Sequence, residues 1–163
     1  MRLLAALLVF SLLGPQAHAL SCLQPNVARD FNWRQGEKET YRIFVGQVKM
    51  VGRIPKYREG RKRTAKAVTT GRFMGRTKLT ETQTFELTVN TTCAASWCGG
   101  FPGKSDADSI LFFEKTPKGD ALNIGPCDYG LAEPVTKKKI KLLQRCLRRG
   151  KCSDADVKRL DQF

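Results

Sequence analysis

The cysteines of this chain are the residues whose type and spacing offer the widest choice of chemistry. An even number of cysteines in an exported chain indicates disulfides, and counting them leaves their pairing open. No two cysteines have the Cys-x-x-Cys spacing, so we expect neither a thioredoxin-type redox site nor a zinc ribbon. The six cysteines are Cys22, Cys93, Cys98, Cys127, Cys146 and Cys152.

Histidine chemistry is nearly absent from the sequence. The only histidine is His18, which lies at the end of an apolar N-terminal segment. Once that segment is removed, Ser-His-Asp triads, Cys-His dyads and histidine-ligated zinc are excluded. No pair of carboxylates is spaced in a way that marks a glycosidase. We therefore expect a protein that is not an enzyme and that holds neither a metal nor a cofactor.

The N-terminal segment has the features of a secretory signal peptide. Arg2 precedes an apolar run over residues 3–13, which is too short to span a bilayer. Ala17 and Ala19 fit the small-x-small rule for cleavage. We expect a signal peptide over residues 1–19, cleavage after Ala19, and a secreted or periplasmic product.

The hydrophobic pattern after this segment predicts strands first and helices last. Alternating residues such as Phe85, Leu87 and Val89 indicate half-buried strands, and helical spacing follows residue 134. We expect a mainly β fold, a small five-stranded barrel or sandwich stabilised by disulfides, with a helical appendage at the C-terminus. Gly46 is expected to bend the first strand. Residues 56–66 are expected to form a hairpin loop or an exposed edge. The predicted helices are 136–149, capped by Thr136, and 154–163, capped by Ser153. The predicted strands are 39–50, 65–75, 82–93, 109–116 and 121–127.

Positive charge is concentrated in two runs of the sequence. The chain has 29 Lys and Arg against 15 Asp and Glu, a formal net charge of +14, which favours polyanionic partners. We expect a monomer that binds a protein or polyanionic partner through these runs, or docks on an anionic membrane by its C-terminal helix. The first run is Arg53, Lys56, Arg58, Arg61, Lys62, Arg63 and Lys66; the second is Lys137, Lys138, Lys139, Lys141, Arg145, Arg148 and Arg149.

Few aromatic residues accompany this charge in the sequence. Tyr57 and Phe73 are the candidates near the first run, whereas nucleic-acid binders usually interleave several aromatic residues with basic ones for base stacking. We therefore expect no specific nucleic-acid binding. Trp97 can serve as an exposed recognition residue, but a tryptophan beside a disulfide more often packs against it, and we expect packing.

The order of four motifs resembles that of the netrin-like domain, the OB-type barrel also found in tissue inhibitors of metalloproteinases. The motifs are Cys22 near the mature N-terminus, Phe44-Val45-Gly46-Gln47-Val48 in the first strand, Cys98-Gly99 before the fourth strand and Cys127 after the fifth. The resemblance covers residues 21–128. It implies a netrin-like OB barrel over residues 20–134, followed by basic helices at 135–163, in a bacterial member of the family.

The resemblance also implies a disulfide pairing. In the family, the second cysteine of an N-terminal Cys-x-Cys pairs with the cysteine that closes strand five, which implies Cys22–Cys127. Leu20 occupies the position of the first cysteine, so Cys98 lacks its family partner. It is expected to pair instead with the nearby Cys93. Cys146–Cys152 is then the remaining pair.

The role of Cys22 depends on where the chain is cut. Cleavage after Ala19 leaves Cys22 as a structural anchor, which is the role we expect. Cleavage after Ser21 gives Cys22 the free α-amine and carbonyl that bind the protease zinc in the inhibitors, with an inhibitory edge formed by Leu20, Ser21, Cys22 and Leu23. Lipidation of Cys22 is a third role.

The sequence thus leads to one main hypothesis and two alternatives. The main hypothesis is an exported, non-catalytic binding protein with a strongly basic surface. The alternatives are a netrin-like inhibitor of metalloendopeptidases and a membrane-surface protein docked by its basic C-terminal helix.

Overall fold

The structure, a computed structural model, describes residues 22–23, 25–103, 107–128 and 135–160. The predicted signal peptide, Leu20, Ser21 and the expected boundary at residue 134 lie outside these residues. The elements in chain order are α1 (Val27–Gln35), β1 (Tyr41–Val51), β2 (Arg63–Phe73), β3 (Gln83–Thr91), β4 (Cys93–Ala94), β5 (Trp97–Cys98), β6 (Ser109–Thr116), β7 (Gly119–Ile124), α2 (Lys137–Arg149) and α3 (Asp154–Leu160).

Five of these strands close into a barrel in the order β1-β2-β3-β7-β6. All neighbours are antiparallel except β3 and β7, which are parallel. The barrel is compatible with an OB-like fold. The prediction of a mainly β, five-stranded, disulfide-stabilised barrel with C-terminal helices is therefore confirmed. The two-residue strands β4 and β5 form a small separate hairpin, which the sequence pattern did not predict.

Strand β1 changes partners near Gly46. Its pairing with β6 ends at Gly46, whereas its pairing with β2 runs from Phe44 to Val51. Gly46 lies opposite Gly71, and a Cβ atom on Gly46 would lie 2.3 Å from the carbonyl oxygen of Thr70. Only glycine allows the two backbones to approach this closely, which agrees with the special role predicted for Gly46.

The barrel interior is filled by apolar side chains from all five strands. Phe85, Leu87 and Val89 of β3 point into it, as their alternation predicts. One end of this interior is closed by four phenylalanines, whose ring centroids lie 5.0–6.4 Å apart. They are Phe44, Phe73, Phe85 and Phe113.

A second core lies between the outer surface of the barrel and a layer of helices. The helical layer consists of α1, α2 and α3, and it buries Phe31, Leu143 and Cys146 against Ile43 and other residues of β1 and β6. Strands β1 and β6 are thus buried on both faces, which is why residues 110–113 of β6 form a continuous apolar run. The C-terminal helices are an integral layer of the fold.

Helix α1 was not predicted from the sequence. Asn26 caps its N-terminus by accepting hydrogen bonds from the backbone N–H groups of Ala28 and Arg29. The Asn26 amide also donates to the carbonyl of Val157 at 2.9 Å. The Asn32 amide both donates to and accepts from the backbone of Cys152. These tertiary hydrogen bonds hold a short helix whose own apolar pattern is weak.

The other two helices begin and end near the predicted residues. Thr136 caps α2 through a hydrogen bond from the N–H of Lys139, and Gly150 ends it with φ of 77°. The hydroxyl of Ser153 accepts from the N–H of Asp156 in the first turn of α3. Both predicted caps are confirmed.

The three disulfides have the pairing that the resemblance implied. Cys22 pairs with Cys127, Cys93 with Cys98, and Cys146 with Cys152. The first ties the segment before α1 to the residues after β7, and it encloses most of the barrel. Cys22 is thus a structural anchor in this fold.

Candidate functional site

One end of the barrel carries two long connections and two disulfides. Strands β1, β3 and β7 end there and β2 begins there. We call this region the hairpin end: residues 51–63 between β1 and β2, residues 92–101 after β3, and the Cys22–Cys127 pair with Leu23.

The two connections of the hairpin end are packed against each other. The hydroxyl of Tyr57 donates to the carbonyl oxygen of Ser96 at 3.0 Å, and the N–H of Gly60 donates to the same oxygen at 3.5 Å. The sulfur of Cys98 lies 3.7 Å from the carbonyl oxygen of Arg61. Because the Cys93–Cys98 disulfide closes the loop below these contacts, the hairpin rests on a constrained support.

Arg63 supports the same region from within. Its guanidinium carbon lies 5.3 Å from the ring centroid of Tyr57 and 4.8 Å from that of Phe101. Its two terminal nitrogens donate to the carbonyls of Gly99 and Pro55 at 3.0 and 3.4 Å. Stacking and carbonyl bonds of this kind require the planar fork of arginine. Arg63, predicted as a binding residue, therefore has a structural role.

The other basic residues of the first run are exposed. The structure brings together five of them on the hairpin, Arg53, Lys56, Arg58, Arg61 and Lys62. Lys66 lies farther along β2, on the outer face of the sheet, where its ammonium donates to the hydroxyl of Thr88 at 3.3 Å. The hairpin sequence between residues 52 and 62 contains a single acid, Glu59, so its surface is strongly positive.

The aromatic residues of this surface differ from those expected. Trp97 leaves 58 % of its surface exposed, which favours a recognition role over the expected packing against the disulfide. Phe73 closes the opposite end of the barrel with Phe85, so its predicted proximity to the basic hairpin is wrong. Tyr57 is exposed as well. Trp97 and Tyr57 are 40 positions apart in the sequence, so only the fold brings Trp97 beside the hairpin.

The second basic run is partly used inside the fold. The carboxylate of Asp156 lies 3.3 Å from Arg145 and 4.0 Å from Arg149, and Arg148 donates to the carbonyl oxygen of Arg76 at 2.7 Å. Burial of Asp156 raises its pKa, but the hydrogen bonds from Ser153 and the two arginines outweigh burial, and its pKa is lowered. Lys137, Lys138 and Lys141 are exposed, and Lys139 is half-buried.

A buried arginine joins α1 to the barrel. The Arg34 guanidinium lies over the rings of Tyr41 and Phe112 at 4.8 and 5.4 Å, and 3.7 Å from the carboxylate of Asp128. Burial and a hydrogen bond with Glu37 raise the pKa of Tyr41 to about 12. The cluster stabilises the helix–barrel contact.

The outer face of β2 and β3 is polar. Thr64 bonds to Asn90 and Thr70 to Thr84, with oxygens 2.9 and 3.0 Å apart. OB-type barrels bind oligonucleotides across this face, and stacking on aromatic rings contributes much of that binding. The outward positions of these two described strands contain no aromatic residue.

No group of three or more His, Cys, Asp or Glu is arranged to hold a metal ion in the part of the chain that the structure describes. None of the described helices is long and apolar enough to cross a membrane. Of the predicted inhibitory edge, Cys22 is disulfide-bonded and Leu23 is exposed, while Leu20 and Ser21 lie outside the described residues.

Comparisons with protein-family profiles, with curated proteins and with solved structures found no match.

Proposed function

We propose that this protein is a non-catalytic binding protein whose hairpin end binds a polyanionic ligand outside the cytoplasm. The observation that carries the proposal is the meeting of five exposed cationic side chains with two exposed aromatic residues, Tyr57 and Trp97, on mutually braced loops. Guanidinium groups bind sulfate and phosphate through paired hydrogen bonds, and aromatic rings add contact area beside them.

The bracing of the loops supports the same proposal. Binding normally costs the entropy of ordering flexible loops. Here the Cys93–Cys98 disulfide, the Tyr57–Ser96 hydrogen bond and the stacked Arg63 already hold the loops. A preorganised cationic surface therefore keeps more of its interaction free energy as affinity.

The compartment follows from the cysteines. The three disulfides of the fold suggest an oxidising extracellular or periplasmic environment. We propose that residues 1–19 are the signal that delivers the chain there. The mature N-terminal segment would then begin at Leu20 and be fastened by Cys22.

The proposal is tested by comparing charge removal at two places. R58Q/R61Q/K62Q removes three exposed charges from the hairpin end, and K137Q/K141Q/K151Q removes three from the C-terminal region as the matched control. In a heparin titration we expect the hairpin variant to lose roughly tenfold or more in affinity, with a salt slope that is lower by roughly two to three. The control should change far less. Equal losses in both variants would mean generic attraction by net charge and would overturn the proposal.

We also propose that the barrel is netrin-like. The proposal is supported by the strand order and by the Cys22–Cys127 disulfide, which matches the family's pairing for those positions.

Inhibition of a metalloendopeptidase is the second candidate function. Exposed Leu23 beside Cys22, at the same barrel end as two protruding loops, favours it. The pairing of Cys98 with Cys93 instead of an N-terminal cysteine weighs against it. Two forms of the protein, starting at Leu20 and at Cys22, should be assayed against a zinc endopeptidase. Stoichiometric inhibition by the form that starts at Cys22 would favour this candidate over simple anion binding.

A further inference from the structure

The exposed apolar side chains of the protein cluster at the hairpin end. Among the described residues, six large apolar side chains are exposed, and five of them belong to this end. Single exposed apolar residues need no explanation, but their concentration in one place marks an interaction surface. The five are Leu23 (71 % exposed), Val51 (38 %), Ile54 (46 %), Tyr57 (57 %) and Trp97 (58 %).

These apolar residues narrow the chemistry of the ligand. A soluble polyanion, such as a sulfated glycan, is bound by cations and leaves aliphatic side chains such as Ile54 and Val51 in water. An anionic membrane offers a layer of charged headgroups next to an apolar interior. Tryptophan and tyrosine favour that boundary, and neighbouring Lys and Arg bind the anionic headgroups.

We propose that the hairpin end docks on an anionic phospholipid surface. Trp97 and Ile54 enter the interface, and Arg53, Arg58 and Arg61 lie among the headgroups. This inference rests on the proposed function, because it identifies the polyanion as a membrane surface.

The basic helix α2 is the competing element, and its orientation makes it less suitable. Its apolar side chains Ile140, Leu143 and Leu147 pack into the second core, so they are not available to enter a bilayer. A helix that binds a membrane surface needs an apolar face to insert as well as a charged one. What α2 offers to a membrane is therefore charge alone.

Tryptophan fluorescence gives a direct test. The chain has two tryptophans, so W33F leaves Trp97 as the single reporter. We expect vesicles of phosphatidylcholine and phosphatidylglycerol in equal parts to shift Trp97 emission to the blue, and brominated acyl chains to quench it. Vesicles of phosphatidylcholine alone should do neither.

A variant that keeps every charge separates this inference from the proposed function. I54S/W97S should reduce partitioning into the anionic vesicles by roughly tenfold or more. I54S, which leaves Tyr57 and Trp97 in place, should reduce it several-fold while its heparin affinity stays within about twofold of wild type. I54S alone, at an exposed loop position, is the second variant in case the double variant fails to fold. K137Q/K141Q/K151Q tests the basic C-terminal region.

Each outcome has a definite meaning. Wild-type vesicle binding by I54S/W97S, or absence of Trp97 quenching by brominated lipid, would overturn the membrane inference and leave the polyanion proposal intact. Quenching of Trp97 by single-stranded oligonucleotide but not by lipid would overturn it in favour of a nucleic-acid ligand. Loss of vesicle binding on charge removal from α2 alone would assign docking to the helix. If R58Q/R61Q/K62Q leaves both heparin and vesicle binding unchanged, the proposed function itself is wrong.

Discussion

The hairpin end and the basic helix α2 are both rich in positive charge in the sequence, yet they differ in what their charges do. In α2, Arg145 and Arg149 hold Asp156, and Arg148 bonds the turn after β2. On the hairpin, Arg63 alone has such an internal role, and the neighbouring cations lie exposed beside Tyr57 and Trp97. A run of basic residues therefore does not define a binding site; the contacts that those residues already make decide it.

The largest effects on stability should come from removing the disulfide of each region, Cys146–Cys152 at α2 and Cys93–Cys98 at the hairpin end. C146S/C152S removes a disulfide and places two serine hydroxyl groups in the apolar second core. We therefore expect it to lower the free energy of unfolding by about 3–5 kcal/mol. Heparin affinity of the folded protein should stay unchanged. C93S/C98S, in a short and largely exposed loop, should cost about 2 kcal/mol.

C93S/C98S should also weaken heparin binding, because it releases the support of Trp97 and the hairpin. Urea unfolding and heparin titration of the same samples measure both effects. The comparison fails if C146S/C152S reduces heparin affinity more than C93S/C98S does.

A smaller effect is expected at Asp156, which organises the arginines of α2. D156N should lower the free energy of unfolding at neutral pH by about 1–3 kcal/mol, because it weakens charge-assisted hydrogen bonds to a buried carboxylate. Since the folded pKa of Asp156 is lowered, the stabilisation is complete above its usual value of 3.8 and is lost as the pH falls through the folded value.

Thermal unfolding of wild type and D156N between neutral and acidic pH measures this dependence. The two stabilities should converge in acid. A difference that persists unchanged below the folded pKa would show that the Asp156 charge does not hold these arginines.

The smallest effect is expected at Arg63. Its substitution separates the effect of positive charge from the effect of holding the loops in place. R63K keeps the net charge but cannot stack between Tyr57 and Phe101 while bonding two carbonyls. We expect a loss of about 1–2 kcal/mol in the free energy of unfolding and a several-fold loss in heparin affinity. R53K, at an exposed arginine of the same hairpin, is the control and should change neither. If R63K binds heparin like wild type, preorganisation by Arg63 is unnecessary.

Most strands were predictable because their side chains record their environment locally. The alternation of Phe85, Leu87 and Val89 indicates one buried face, and the continuous apolar run from Ile110 to Phe113 indicates two. Helix α1 was missed for the opposite reason. Its stability comes from Asn26 and Asn32, which bond to residues more than a hundred positions away, and no local pattern contains that information.

The candidate site was predicted in part. The basic hairpin was identified from composition, because charge that dense is rarely buried. The aromatic residues that lie beside this charge were not identified correctly. Phe73 is close to the hairpin in the sequence but lies at the other end of β2, since eleven residues of a strand span the length of the barrel. Trp97 is distant in the sequence and close in the fold.

The sequence by itself determined the order of the five barrel strands and the two C-terminal helices, the likeness that implied the cysteine pairs, and the charge. These depend on residue type and on short spacings along the chain. Tertiary structure alone decided which basic residues are occupied internally, that Trp97 is exposed beside the hairpin, and that the apolar face of α2 is buried. These depend on contacts between segments far apart in the chain, which barrel closure and helix packing bring together.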